Sequence, residues 1–337
     1  MQVVAGDLGG TKTLFCIAEC EPGRTHIVRQ QRFECADYTS FGDMLRTFLE
    51  AEKQSSAVAC ACFGIAGPIR DTPLGQYVKI TNLPWEVNSE VLVREFGLAQ
   101  VRLINDFVAV GYGIELLGGT DIVTLHAGEP VPRGPRAIIG AGTGLGQAIL
   151  VWQQDHYEVI ATEGSKTDFG PADELQLELA RYLMHRHKRA SYELVLSGSG
   201  LVRIYQFLRD RNHVAESPVV VEAMLQEDPA AVIARAGLEQ NDPLSNAALD
   251  LFVAIYGQQA GNLALTAGAT GGLYVAGGIA PKIISRLASG KFVRAFTDKG
   301  NMSDYVRAIP VQVVMNPEIG LLGAVSAASR LSSRRVQ

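Results

Sequence analysis

The sequence predicts an α/β protein of two lobes, each a mixed sheet with helices packed on it. Three observations carry the prediction. Apolar runs rich in β-formers alternate with segments of helical period along both halves of the chain. At 337 residues the chain is long for one core, so two lobes are expected. A glycine hairpin between two apolar runs occurs near the start (VVAGDLGGTKTLFCIA, from Val3) and again in the second half (AIIGAGTGLGQAILVW, from Ala137). Such an echo is what a duplicated α/β unit would leave.

The first hairpin turns through Gly6, Asp7, Leu8, Gly9, Gly10 and Thr11, and the second through Gly140, Gly142, Thr143, Gly144 and Gly146. Glycines leave no Cβ in the way, so a bulky anion can approach the backbone N–H groups of such a turn. Thr11 and Lys12 add a hydroxyl and a charge. Neither turn is a Walker loop, because Thr11 rather than Gly precedes the lysine. Neither is a dinucleotide fingerprint, because Leu145 or Gln147 falls where a third Gly or Ala is needed and a strand follows instead of a helix. Two phosphate loops gripping opposite ends of one phosphate chain fit the pair; two plain hairpin turns remain the alternative at this point.

In chain order, residues 26–33 complete a three-strand meander, and residues 40–53 form an amphipathic helix with Phe41, Met44, Leu45, Phe48 and Leu49 on one face. Residues 58–65 read as a buried strand, 79–85 (KITNLPW) as a short strand breaking at Asn82 and Pro84, 88–96 as a helix and 101–104 as a strand. Asn105-Asp106 follows that strand and opens a helix over 107–117, which places both side chains at a strand's carboxyl end, where ligands gather in open α/β sheets. An ordinary helix cap explains the pair equally well, and the two roles are compatible. Residues 118–136 read as a Pro-rich loop and a lobe boundary.

In the second half, a strand over 157–161 leads to Glu163-Gly164-Ser165-Lys166, and a helix covers 175–184. His185 and His187 stand two apart, on different helix faces, and read as solvated. Glu193 precedes a glycine turn (GSGL) and a helix over 199–210. Asp228-Pro229 and Asp242-Pro243 each read as a cap with Pro in the first turn, the second opening a long buried helix over about 244–265. A strand over 273–278 ends in Gly277 and Gly278; a helix from Pro281, a strand over 311–314 and a closing helix over 318–331 finish the chain.

Composition narrows the function. With 47% hydrophobic and 19% charged residues this is an ordinary folded chain. A net charge of −5 and no basic stripe argue against nucleic acid as a partner, and the basic tail over 330–335 reads as a helix end. The five cysteines form no CxxC pair, and Cys60 and Cys62 alternate onto one face of a strand as small buried side chains. A reducing, cytoplasmic location is expected, with no membrane span and no signal peptide.

The inventory is therefore two phosphate-type turns, a third glycine turn, Asn-Asp at a crevice, and Glu163 and Glu193 each beside a glycine-rich turn. For the two glutamates taken singly, exposed surface charge stays open. Together they suit phosphoryl transfer to a polyhydroxylated acceptor, with a carboxylate taking the hydroxyl proton.

These residues also carry a resemblance. GDLGGTK, LINDFVAVGYGI, IGAGTGLGQ, TEGSKTDFGP, LVLSGSGL and VAGGIAP occur in the order and approximate spacing of bacterial-type ATP-dependent glucokinase, of the actin/hexokinase-like (ribonuclease-H-like) superfamily, over about residues 3–326. The resemblance implies ATP + D-glucose → ADP + D-glucose 6-phosphate. It implies a small lobe of residues 1–116 with about 315–337, a large lobe of 117–314, and a sugar cleft that closes against water. Gly6 to Thr11 and Gly142, Thr143 and Gly144 are similar to the family's phosphate loops, and Gly277 and Gly278 to its adenosine turn. Asp7 is similar to the acid that steers Mg²⁺ through water. Asn105 and Asp106 correspond to the sugar-binding amide and the catalytic base on the 6-hydroxyl, and Glu163 and Glu193 to carboxylates near the anomeric end. A homodimer is also implied.

One departure stands out. The family usually reads EGGH where this chain has Glu163-Gly164-Ser165-Lys166, so a sugar-contacting His is replaced by Lys166, which offers only donors and a fixed charge. Altered affinity or specificity for glucose follows. Phosphorylation of another hexose or an amino sugar, or weakly active sugar sensing, are the alternatives.

Overall fold

A computed structural model describes all residues except 22–23, 51–59, 82, 212–214, 240 and 334–337. The chain divides into two compact units, Met1–Gly118 with Glu318–Gln337, and Gly119–Pro317.

The first unit begins with an antiparallel meander, β1 (Gln2–Leu8), β2 (Lys12–Glu21) and β3 (Arg24–Glu34), followed by α1 (Phe41–Glu50) and β4 (Cys60–Ile65). Residues 51–53 of the expected helix and 58–59 of the expected strand lie outside the described residues. A small sheet of β5 (Arg70–Thr72), β6 (Gly75–Lys79) and β7 (Glu86–Asn88) precedes α2 (Ser89–Phe96), β8 (Gln100–Asn105) and α3 (Asp106–Gly113). The strand expected over 79–85 is misplaced: pairing stops at Lys79, and the chain folds back so that Ile80 N–H donates to Trp85 O (3.1 Å) and Thr81 N–H to Ala66 O (3.1 Å). Ile80 and Trp85 are buried there, so their apolarity serves a packed loop, not a strand. Asn82 itself lies outside the described residues.

The main sheet has the order β3-β2-β1-β4-β8, with β1, β4 and β8 parallel. On one face Phe15 packs its ring against Phe33, Phe41, Phe48 and Phe63, closing the core under α1. The other face carries small buried residues, Val3, Ala5, Cys16, Ala18, Cys60 and Cys62, and is covered by the C-terminal helix (Ile319–Ser333). Cysteine serves here as a small apolar residue that lets a helix approach closely. Arg330 of that helix stacks over Tyr112, its Cζ 5.0 Å from the ring centroid, and pairs with Glu115 at 3.9 Å; residues 334–335 of the basic tail lie outside the described residues.

The second unit opens with β9 (Ile122–His126), in the stretch the sequence reads as loop, and continues with β10 (Arg136–Ala141), β11 (Leu145–Gln153) and β12 (His156–Thr162). Five helices follow: α4 (Glu174–His187), α5 (Gly198–Asp210), α6 (Pro218–Gln226), α7 (Pro229–Glu239) and α8 (Pro243–Ala267). Then come β13 (Gly272–Ala276), α9 (Ile284–Leu287), α10 (Lys291–Thr297), α11 (Ser303–Arg307) and β14 (Val311–Val314). α6 is an addition to the sequence reading. α8 starts as expected, with Asp242 Oδ2 accepting from Ser245 N–H (2.8 Å) and Pro243 in the first turn; it ends on left-handed Gly268 and is buried on most sides. His185 and His187 are exposed.

The sheet order, β12-β11-β10-β13-β14-β9, repeats that of the first unit with one strand added. In both, a first strand is flanked by its antiparallel hairpin partner and by a parallel strand, and the glycine hairpin joins the same two strands. The duplication legible in the glycine spacing is thus a duplication of topology. Among the described residues no helix is long and apolar enough to cross a membrane.

Candidate active site

In the first unit three parallel strands end together. Leu8 of β1 lies across from Ile65 of β4, and Ile65 from Asn105 of β8. Asn105 caps α3: its Oδ1 accepts from Phe107 N–H (2.9 Å) and Val108 N–H (3.4 Å). Its Nδ2 has no partner among the described residues, so the cap leaves amide hydrogens for a ligand. Asp106, first residue of α3, accepts from Phe107 N–H through Oδ1 (2.9 Å). Asp7, one residue before the end of β1, is pushed up to about 7, first by burial and then by the Asp106 carboxylate. Its carboxylate lies against the start of the C-terminal helix, where a Cβ built on Gly320 would stand 2.6 Å from Asp7 Oδ2. The turn beside it is braced from beneath: Gly9 N–H donates to Lys12 O (3.0 Å), Cys35 N–H to Thr11 O (2.8 Å), and Cys35 Sγ–H to Gly9 O (3.7 Å). Gly10 is half-buried and Thr11 exposed.

In the second unit the glycine turns singled out in the sequence meet. Gly142 N–H donates to Gly144 O (2.8 Å), tightening the hairpin, and Gly142 O accepts from Gly198 N–H (2.9 Å) at the start of α5. Ala141 O accepts from Ile279 N–H (3.2 Å), just past Gly277-Gly278. Gly277 has φ +82, and a Cβ there would lie 2.5 Å from Ala141 O, so the contact requires glycine. Buried Tyr256 ties the two strands behind the turn: its hydroxyl accepts from Ala141 N–H (3.0 Å) and donates to Ala276 O (3.4 Å). Thr143 is exposed on the turn, and Gly278 opens to free space. Glu193 reaches the same hairpin, its Oε2 accepting from Leu145 N–H (3.4 Å), and its Oε1 is ion-paired to Lys166. Glu163 is exposed three residues before Lys166. Each unit thus gathers its own cluster: Asp7, Asn105, Asp106 and the first turn in one; the second turn, Gly277, Gly278, Glu193, Lys166 and Glu163 in the other.

The glucokinase family profile matches residues 4–331 of this chain. The chain belongs to the glucokinase family. A glucokinase of Nostoc punctiforme is 43% identical over 343 aligned residues, which cover 98% of this chain and 99% of that protein. A glucokinase of Chromohalobacter salexigens is 36% identical, covering 96% of each. Among solved structures, a glucokinase from an Antarctic psychrotroph superposes with a TM-score of 0.84 at 29% identity, covering 98% of this chain and 99% of that one. A Balamuthia mandrillaris glucokinase, solved with glucose, shares the fold with a TM-score of 0.74 at 21% identity, over 97% of this chain and 93% of that one. As a member of the glucokinase family, this chain is an ATP-dependent phosphotransferase with glucose as acceptor, on the actin/hexokinase-like fold.

Four residues of this glucokinase-family site escaped the sequence reading. Gly320 shapes the space for Asp7, Cys35 braces the first turn, Tyr256 backs the second, and Gln147 lies buried under Gly164. Gln147 carried a signal, a polar residue inside a strand that is apolar from Ala148 to Trp152. The other three are a glycine, a small apolar residue and an aromatic, and such residues declare no role until their neighbours are known.

Proposed function

We propose that Asp106 is the general base, taking the proton of the glucose 6-hydroxyl as that oxygen attacks the γ-phosphorus of ATP. The observation that carries this reading is the placement of Asp106 at the joint end of three parallel strands, beside the Asn105 cap and the Asp7 carboxylate. Asn105 Nδ2 donates to the sugar. Glu163 and Glu193 accept from hydroxyls near the anomeric carbon, and Lys166 stands beside them. The turns Gly6 to Thr11 and Gly142 to Gly144 donate N–H groups to the phosphates, and Gly277-Gly278 lies along the adenosine.

Mg²⁺ fits this donor set. Two carboxylates that repel one another at the end of a sheet suit a hard divalent cation that keeps several waters and shares phosphate oxygens. Asp7 would hold it, through water, and when bound it neutralises charge on the transferring phosphoryl group. A cytoplasmic homodimer completes the reading: the cytoplasm from five free thiols, four of them buried, and the dimer from the resemblance alone. Light scattering on the purified protein tests the latter.

The decisive experiment is Asp106→Asn in a coupled ADP-release assay. Turnover should fall about 10²-fold or more, the usual scale for a lost general base, with glucose affinity nearly intact. Unchanged turnover removes Asp106 from the mechanism.

A further inference from the structure

The ion pair between Lys166 Nζ and Glu193 Oε1 stands at the rim of the second glycine turn. The side chains are 59% and 30% exposed, so a sugar can reach both. Glu193 is already engaged at each oxygen, since Oε2 accepts from Leu145 N–H (3.4 Å). Glu163, three residues before Lys166, has no side-chain partner among the described residues.

The turn that carries Glu163 and Lys166 is fixed from beneath. Gly164 N–H donates to Thr162 Oγ1 (3.3 Å), Thr167 Oγ1–H donates to Gly164 O (2.7 Å), and Lys166 N–H donates to Glu163 O (3.0 Å). Gly164 also lies so close to the Gln147 amide oxygen that no Cβ fits between them. Lys166 therefore projects from a set backbone, with Glu193 within reach of its ammonium.

We propose that Lys166 is a built-in ammonium that occupies Glu193 and makes the sugar site select neutral hexoses over 2-amino-2-deoxyhexoses. The inference rests on the reading above that Glu163 and Glu193 receive the hydroxyls near the anomeric carbon. A neutral hydroxyl can join the pair without breaking it, donating its proton to the carboxylate and accepting from the ammonium. A sugar ammonium can donate to the carboxylate but has no lone pair to offer Lys166, and the charge it would seek on Glu193 is already matched. It would instead stand beside a like charge in a partly enclosed site. A histidine here, neutral for the most part at pH 7, would leave Glu193 unmatched and open to an amino sugar.

The test compares kcat/KM for glucose, mannose and glucosamine at pH 6.5, where the sugar amine is cationic, in the unaltered protein and in Lys166→Met, Lys166→His and Lys166→Arg. The preference for glucose over glucosamine should fall about tenfold or more in Lys166→Met, through KM for the amino sugar, and persist in Lys166→Arg, which keeps the cation. Lys166→His should fall between them. Mannose, which is neutral, should gain nothing. If glucose is phosphorylated and the glucosamine preference is the same in all four proteins, Lys166 is no selector, while the glucokinase reading stands. An equal gain by mannose also overturns the proposal, since the change would then be one of fit and not of charge. No phosphorylation of any sugar by the unaltered protein sinks the reading of the site and this inference with it. Lys166 is exposed, so melting temperatures should stay within a few degrees and separate these outcomes from misfolding.

Discussion

Replacing Asp7 by Asn should make the protein more stable at pH 8 while damaging its catalysis. Asp7 is pushed up to about 7 in the folded chain, against an ordinary value of 3.8. Between those two pH values the folded state holds a proton that the unfolded state has released, so stability falls as pH rises through the window and levels off above it. The full shift corresponds to about 4 kcal/mol, at about 1.4 kcal/mol per pKa unit. The start of the C-terminal helix beside Asp7 favours the ionised form and offsets up to ~2 kcal/mol of this. Asn has nothing to titrate. The advantage of Asp7→Asn should therefore be small near pH 4, grow with pH, and reach about 2–4 kcal/mol at pH 8. Urea unfolding of both proteins at intervals from pH 4.5 to 8, free of Mg²⁺ and nucleotide, measures it. Stability curves that run parallel across that range would refute the argument that Asp7 is held in an unfavourable ionised state.

Other substitutions probe the close approaches. Gly320→Ala places a Cβ against the Asp7 carboxylate, so kcat/KM should drop at least about tenfold with a stability cost of about 1–3 kcal/mol; full activity would mean that Asp7 need not sit there. Gly277→Ala combines positive φ with a clash on Ala141 O, and should cost about 1–3 kcal/mol while raising KM for ATP and sparing KM for glucose. The thiols give a third check. Burial pushes Cys16 and Cys62 up to about 12, and raises Cys20 as well, so few thiolates are available at pH 8. A colorimetric thiol reagent should find at most one fast-reacting cysteine in the native protein and all five after denaturation; three or more fast thiols would contradict the packing described.

Much of this was legible in the residues because the relevant physics is local. Glycines between apolar runs mark hairpins wherever they occur, and so the duplicated turn exposed the duplicated topology. Asn105-Asp106 after a buried strand marks a helix entrance at a sheet's edge, since Asn and Asp satisfy the first N–H groups of a helix. What stayed hidden depended on distant partners. β9 is short and lies in a stretch that its prolines mark as loop, and only β14 gives it a place. Ile80 and Trp85 have strand character but find burial beyond the point where the ladder pairing stops. The link between Lys166 and Glu193 spans residues far apart in sequence, and the lysine alone told only that something had changed.

The C-terminal helix covers the small-residue face of the first unit's sheet, although the whole second unit is made in between. During synthesis that face lacks this helix until residues 319–333 leave the ribosome, a wait on the order of 10–40 s at roughly 5–20 residues per second. Three of its exposed side chains, Cys16, Cys60 and Cys62, would be thiols, which a nascent chain tolerates only where they stay reduced. The first unit is therefore begun first and closed last.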